Sequence, residues 1–140
     1  MINTNLLAHS IDLNGLYSPK DLDKVDWGKA ETITILFEDN NYEPDEISLK
    51  KGKAYIFEMK NIGDRSHDFV ELNLFHNISV KQISSAFGRI NTHHLHSLFL
   101  KKGQTLSLYF VPHDSGEFEF FCSIKGHRED GMEGFINIVD

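Results

Sequence analysis

The sequence predicts an all-β fold, a Greek-key β-sandwich preceded by a short N-terminal extension. Three observations lead there. From Glu31 onward, short runs rich in β-branched and aromatic residues alternate with Gly, Asn, Asp and Pro. Several of these runs alternate apolar with polar residues, the period of a strand that buries one face. One stretch, about residues 76–94, breaks the pattern, as the long connection of a Greek key does.

Residues 1–30 read as an appendage to a domain spanning 31–140. Within the appendage, Ser18-Pro19-Lys20-Asp21-Leu22 offers an N-cap with proline at the first helical position, which predicts one short helix. Strands are expected near 31–38, 46–50, 53–61, 68–75, 95–100, 105–112, 116–122 and 133–139. In Thr105–Phe110, Leu106, Leu108 and Phe110 share one face while Thr105 and Ser107 face outward. In Glu117–Cys122, Phe118 and Phe120 point the same way as Cys122, so the thiol is aimed from the apolar side. Val80–Phe87 reads as a short helix or an irregular crossover.

A chain of 140 residues, 40% hydrophobic, supports one domain with a real core and no second one. No apolar run approaches the roughly 20 residues needed to cross a bilayer, so no stable membrane insertion is expected. Met1–Ser10 lacks the basic region and the apolar stretch of a secretion signal. The formal charge of −7 argues against nucleic acid, whose phosphates call for basic residues, and favours a basic partner. The single cysteine rules out an internal disulfide and a binuclear site built on two thiolates.

That cysteine carries the chemistry. Cys122 opens the run Cys-Ser-Ile-Lys-Gly-His-Arg-Glu-Asp-Gly-Met, so thiolate, imidazole (His127) and thioether (Met132) donors share one short loop. Soft sulfur with imidazole is a donor set that suits copper. Gly126 and Gly131 each precede a ligand, where the chain must turn back toward the metal. By composition alone, His and Met at these two offsets from a given Cys should arise about once in a thousand trials, so chance is the weaker account. A fourth donor must come from elsewhere: His67 leads, with His76 and His113 as alternatives. Taken singly, each residue has a plainer reading, Cys122 and Met132 as core filling and His67 as a loop histidine; together they describe a mononuclear copper centre.

The segment Phe118-Glu119-Phe120-Phe121-Cys122 through Gly126-His127 to Met132-Glu133-Gly134, ending Ile136-Asn137-Ile138-Val139, resembles the ligand loop and last strand of the cupredoxins, the blue type 1 copper proteins. The Cys-x4-His-x4-Met spacing is most similar to that of rusticyanin and auracyanin. Upstream, Tyr42–Gly52, Phe57–Asn61 and Ser66-His67-Asp68-Phe69 resemble the family's early strands and first-histidine loop, so the likeness covers about residues 31–140. Two departures stand out: Lys125-Gly126-His127 where related loops often read Pro-Gly-His, and Asp68 where many have Asn.

The resemblance implies a cupredoxin-like sandwich in which His67, Cys122 and His127 hold one copper (Cu+/Cu2+) in a near-trigonal plane, with Met132 as a weak axial ligand. It implies a backbone N–H from Asp68 to the Cys122 sulfur, tuning the potential, and hydrogen bonds between Asp68 and Ser123. It further implies a periplasmic or otherwise exported protein; the absence of a signal peptide keeps a cytoplasmic location open. Lys125, Arg128, Glu129 and Asp130 surround His127 and point to an electrostatic contact with a partner, or to a solvated rim.

Two functions follow from different classes. One is a mobile one-electron carrier between redox partner proteins. The other is a protein of copper homeostasis that stores, captures or delivers the ion to copper-handling partners. His93, His94 and His96 would serve the latter as a capture site, the plain alternative being a polar loop entering a strand. An enzyme is not expected, because eight histidines with two already committed do not furnish a trinuclear cluster as well.

Overall fold

The computed structural model describes residues 10–11, 22–86, 89–90 and 97–140. Their strands are β1 (Ser10–Ile11), β2 (Glu31–Glu38), β3 (Asn41–Glu43), β4 (Glu46–Lys50), β5 (Tyr55–Asn61), β6 (His67–Val70), β7 (Ile78–Ser84), β8 (Arg89–Ile90), β9 (Ser97–Leu100), β10 (Thr105–Pro112), β11 (Gly116–Phe121) and β12 (Glu133–Val139). One sheet runs β1-β7-β10-β5-β2-β3 and the other β4-β12-β11-β6-β9-β8. Both are mixed: β2 runs parallel to β5 and β4 parallel to β12, while their other pairings are antiparallel. The chain passes from one sheet to the other between β3 and β4, so the first hairpin and the last strand are tied into one sandwich.

Four of the expected strands appear with the expected bounds, 31–38, 46–50, 105–112 and 133–139. Alternation explains why: Leu106, Leu108 and Phe110 are buried against the opposite sheet while Thr105 stays exposed. The strand expected over 68–75 ends at Val70 instead. Glu71 then turns inward and accepts the backbone N–H groups of Asn73 (2.7 Å) and Leu74, which starts a 3-10 turn over Leu74–His76. In the N-terminal segment, 3-10 turns cover Leu22–Lys24 and Trp27–Lys29, and the ring edge of Trp27 packs on Tyr109. The helix start expected at residues 18–21 lies outside the described residues, as do residues 95 and 96 of the expected 95–100 strand.

Of the stretch Val80–Phe87, read as a short helix or crossover, Val80–Ser84 belongs to β7, a strand inside the first sheet, and Phe87 lies outside the described residues. Its pairing with β10 shifts by one residue between Tyr109 and Phe110, a β-bulge. The bulge takes up Lys81, so the strand-like step of two from Ile78 to Val80 is followed by a step of three from Val80 to Ile83.

Between the sheets, four aromatic rings pack beneath the first-histidine strand: Tyr42, Phe69 and Phe120 lie within 6.0 Å of one another by ring centroid, and Phe37 lies 5.2 Å from Tyr42. Phe120 is fully buried and touches both Phe69 and Tyr42, joining β11 to β6 and β3. We predict that Phe120→Ala lowers unfolding free energy by about 3–5 kcal/mol, the usual cost of emptying a buried phenylalanine site. Urea denaturation monitored by circular dichroism checks this; a loss under about 1 kcal/mol would mean the ring is not central to the core.

Candidate metal centre

Two segments converge at one end of the sandwich. His67 is the first residue of β6, and Cys122 follows the last residue of β11. Those strands are antiparallel neighbours, with Phe121 opposite Val70, so the hydrogen-bonded ladder itself carries residues 55 apart in sequence to one place. The loop from Cys122 to Met132 is closed by its own backbone. Cys122 N–H donates to Met132 O at 3.0 Å, Met132 N–H to His127 O at 3.0 Å and His127 N–H to Ile124 O at 3.0 Å. Gly126 (φ 83°) and Gly131 (φ 111°) supply the left-handed turns this path needs.

The donor atoms of His67, Cys122 and His127 all lie within 4.8 Å of one another, and all three side chains are buried. His67 Nδ1 is 3.2 Å from His127 Nδ1, and Cys122 Sγ is 3.9 Å from the former and 3.6 Å from the latter. A point equidistant from the three lies about 2.1 Å from each, inside the ~2.0–2.3 Å range of metal–nitrogen and metal–sulfur bonds. Met132 is fully buried on the same loop.

Hydrogen bonds fix each donor. His67 Nε2 lies 3.0 Å from Asp39 Oδ1. Backbone N–H groups of Asp64 and Arg65 and the hydrogen bond to His67 hold the Asp39 carboxyl down at about 2, so it is ionised at neutral pH and can only accept. Nε2 therefore carries the proton. Burial lowers the His67 pKa despite the nearby carboxylate, so the ring is neutral and its Nδ1 offers a lone pair toward Cys122 and His127. Burial likewise pushes the Cys122 thiol up to about 11, opposed by the backbone N–H groups of Asp68 and Ile124. Asp68 ties the two segments together, accepting from Ser123 N–H at 2.6 Å and from the Ser123 hydroxyl, while its own carbonyl accepts from the Tyr42 hydroxyl at 2.5 Å.

The cupredoxin-like domain family matches residues 13–136. The chain belongs to that family. Among solved structures, auracyanin from the photosynthetic bacterium Roseiflexus castenholzii is 16% identical, with a TM-score of 0.58 over 79% of this chain and 98% of its own. Auracyanin A, a blue copper protein of Chloroflexus aurantiacus, is 14% identical with a TM-score of 0.52, covering 77% and 98%. A multi-copper oxidase from Pediococcus acidilactici is 16% identical with a TM-score of 0.59 over 83% of this chain, which spans only 27% of the oxidase. These likenesses carry the fold. No curated protein matches the sequence.

As a cupredoxin-like domain with a thiol, two imidazoles and a buried thioether at one end, the chain has a donor set that fits copper. Of the three histidines weighed as the remote donor, His67 joins the cluster. His76 sits in the 3-10 turn and His113 beside Asp114 at 3.2 Å, both outside it. His93, His94 and His96 lie outside the described residues. Two of the four rim charges are held by residues outside the rim: Arg128 binds Glu119 and Glu133 and lies over the Phe121 ring at 4.2 Å, and Asp130 accepts from Asn40 at 2.7 Å. Asp39 and Asn40 carry no recognisable pattern in the sequence beyond the Asp-Asn-Asn of a turn, and nothing local connects that turn with a histidine 28 residues on.

A thiol raised from 9.0 to about 11 holds roughly a hundredth of the thiolate of an ordinary cysteine at pH 8. Alkylation of Cys122 by iodoacetamide in the native, metal-free protein should therefore run at least about 100-fold slower than in the urea-unfolded chain. Mass spectrometry over time reads this, and equal rates would place the thiol outside the buried cluster.

Proposed function

We propose that this protein is a mononuclear type 1 copper protein acting as a one-electron carrier, with His67, Cys122, His127 and Met132 as its ligands. The observation that carries the reading is the buried triangle of two imidazole nitrogens and one thiol sulfur, sized for a single ion. Bound copper would supply a reversible Cu(II)/Cu(I) couple. The chain's own residues supply the rest. Ligands on β6 and on a loop braced between β11 and β12 are fixed to separate parts of one framework, so the site changes little when its charge changes by one. The backbone N–H groups of Asp68 and Ile124 favour the Cys122 thiolate over the thiol, and the same groups beside a copper-bound thiolate would raise the potential. Burial of all four side chains excludes water, and His127, 7% exposed against 0–1% for the others, is the ligand nearest solvent and the natural path for the electron.

Residues 1–30 are, in this reading, an extension to the electron-carrying domain 31–140, and a redox protein with a basic surface is the fitting partner for a chain of charge −7. An exported, periplasmic setting belongs to the same proposal. Among the described residues no helix is long and apolar enough to cross a membrane.

The test is an absorption spectrum after adding one equivalent of Cu(II). An intense visible thiolate-to-copper band is expected; Cys122→Ser should abolish it, and Met132→Leu should keep the colour while raising the reduction potential. Copper bound without that band, or surrendered readily to a chelator, would instead favour a role in copper storage or delivery.

A further inference from the structure

One turn touches both ligand-bearing segments. Asp39 and Asn40 connect β2 to β3, with Asn40 in the left-handed region (φ 67°) that asparagine tolerates. Asp39 Oδ1 lies 3.0 Å from His67 Nε2, and the same carboxylate accepts Asp64 N–H at 2.9 Å and Arg65 N–H at 3.2 Å. Asn40 Nδ2 donates to Asp130 Oδ2 at 2.7 Å, and Asp130 N–H is bonded to the carbonyls of Gly126 and His127. The fit is close: a Cβ on Gly63 would meet Asp39 Oδ1 at 2.4 Å, so only glycine lets the carboxylate settle against this loop.

The contact has an electrostatic consequence. Every hydrogen-bond partner of the Asp39 carboxylate is a neutral N–H, and Lys102, the cation that feels its charge, is bonded to Asp64 at 2.8 Å instead, so no lysine or arginine is hydrogen-bonded to Asp39 among the described residues. Such a carboxylate, accepting the distal N–H of a ligating imidazole, makes the ligating nitrogen more basic. Its attraction for a doubly charged ion exceeds that for a singly charged one. It also selects the tautomer. With Nε2–H committed to Asp39, His67 Nδ1 must accept, and the 3.2 Å contact with His127 Nδ1 is then a bond donated by His127.

Resting on the copper reading above, we propose that Asp39 is a positioning residue: it fixes the His67 ring and tautomer, and its charge biases the centre toward Cu(II), lowering the reduction potential.

Asp39→Asn separates charge from shape, since the amide oxygen still accepts from His67. Its ratio of Cu(II) to Cu(I) affinity should fall about tenfold, the lower end of the usual cost of altering such a partner. For a one-electron couple that is a rise of about 59 mV in potential, with the visible band kept. Asp39→Glu, which keeps the charge, should stay nearer to wild type than Asp39→Asn does. A ratio for Asp39→Asn within twofold of wild type would overturn the proposal while leaving the copper reading intact; a wild type without the visible band overturns the copper reading and the bias with it. A second measurement needs no variant. Nitrogen-15 NMR of the metal-free wild type should show His67 as the Nε2–H tautomer, and a predominant Nδ1–H form would refute the positioning role even if Asp39→Asn fails to fold.

Discussion

Three donor atoms, two imidazole nitrogens and a thiol sulfur, stand within 4.8 Å of one another on buried side chains. Left to themselves, two imidazoles and a thiol would swing apart toward solvent, because burial takes polar groups away from their hydrogen bonds to water. What prevents this is the pairing of β6 with β11 and the crosslink at its end, where Asp68 accepts both the N–H and the hydroxyl of Ser123. Tyr42 anchors Asp68 from below through its hydroxyl, and its ring is packed against Phe69 and Phe120. The aromatic core and the donor triangle are thus one mechanical unit: the core fixes the strand ends, and the strand ends fix the donors.

Within that unit the sulfur and the imidazole are pulled in opposite electrical directions. Backbone N–H groups of Asp68 and Ile124 oppose the burial that pushes the Cys122 thiol up, while a carboxylate sits behind His67. In the copper reading, a potential set by such neighbours would move with small changes in one of them, without a change of donor atoms. Where related loops carry asparagine after the first histidine, Asp68 here spends its charge on Ser123, whose N–H and hydroxyl both donate to it.

Much of this was legible in the chain. Strand bounds followed from alternation wherever one face is buried, as in β2 and β10, because the period of two is imposed by the backbone itself. The Cys122–His127–Met132 loop was legible because a metal's donors must be of particular types at short separations, and His67 because Ser66-His67-Asp68-Phe69 resembles the family's first-histidine loop. β7 was not, since a single bulged residue turns a strand's periodicity into something closer to a helix's. Asp39 was not, because its role depends on where a hairpin turn lands in three dimensions, and a turn's sequence encodes only its own backbone.

The same framework bears on the choice between carrying electrons and handling metal. Delivery requires a donor set that can open one ligand at a time to an incoming chelator, which means at least one ligand on a loosely tethered segment. Here the loop from Cys122 to Met132 is bonded to itself at Met132 O, His127 O, Ile124 O and Arg128 O, and is fastened from outside by Asn40 on Asp130 and by Ser123 on Asp68. His67 is held at both ends of its ring. Displacing the loop backbone or the His67 ring would break several of these contacts at once, whereas moving an electron breaks none. Rigidity that obstructs ion exchange is the same property that keeps the reorganisation of a one-electron couple small, and it is on that shared cause that the electron-carrier reading stands.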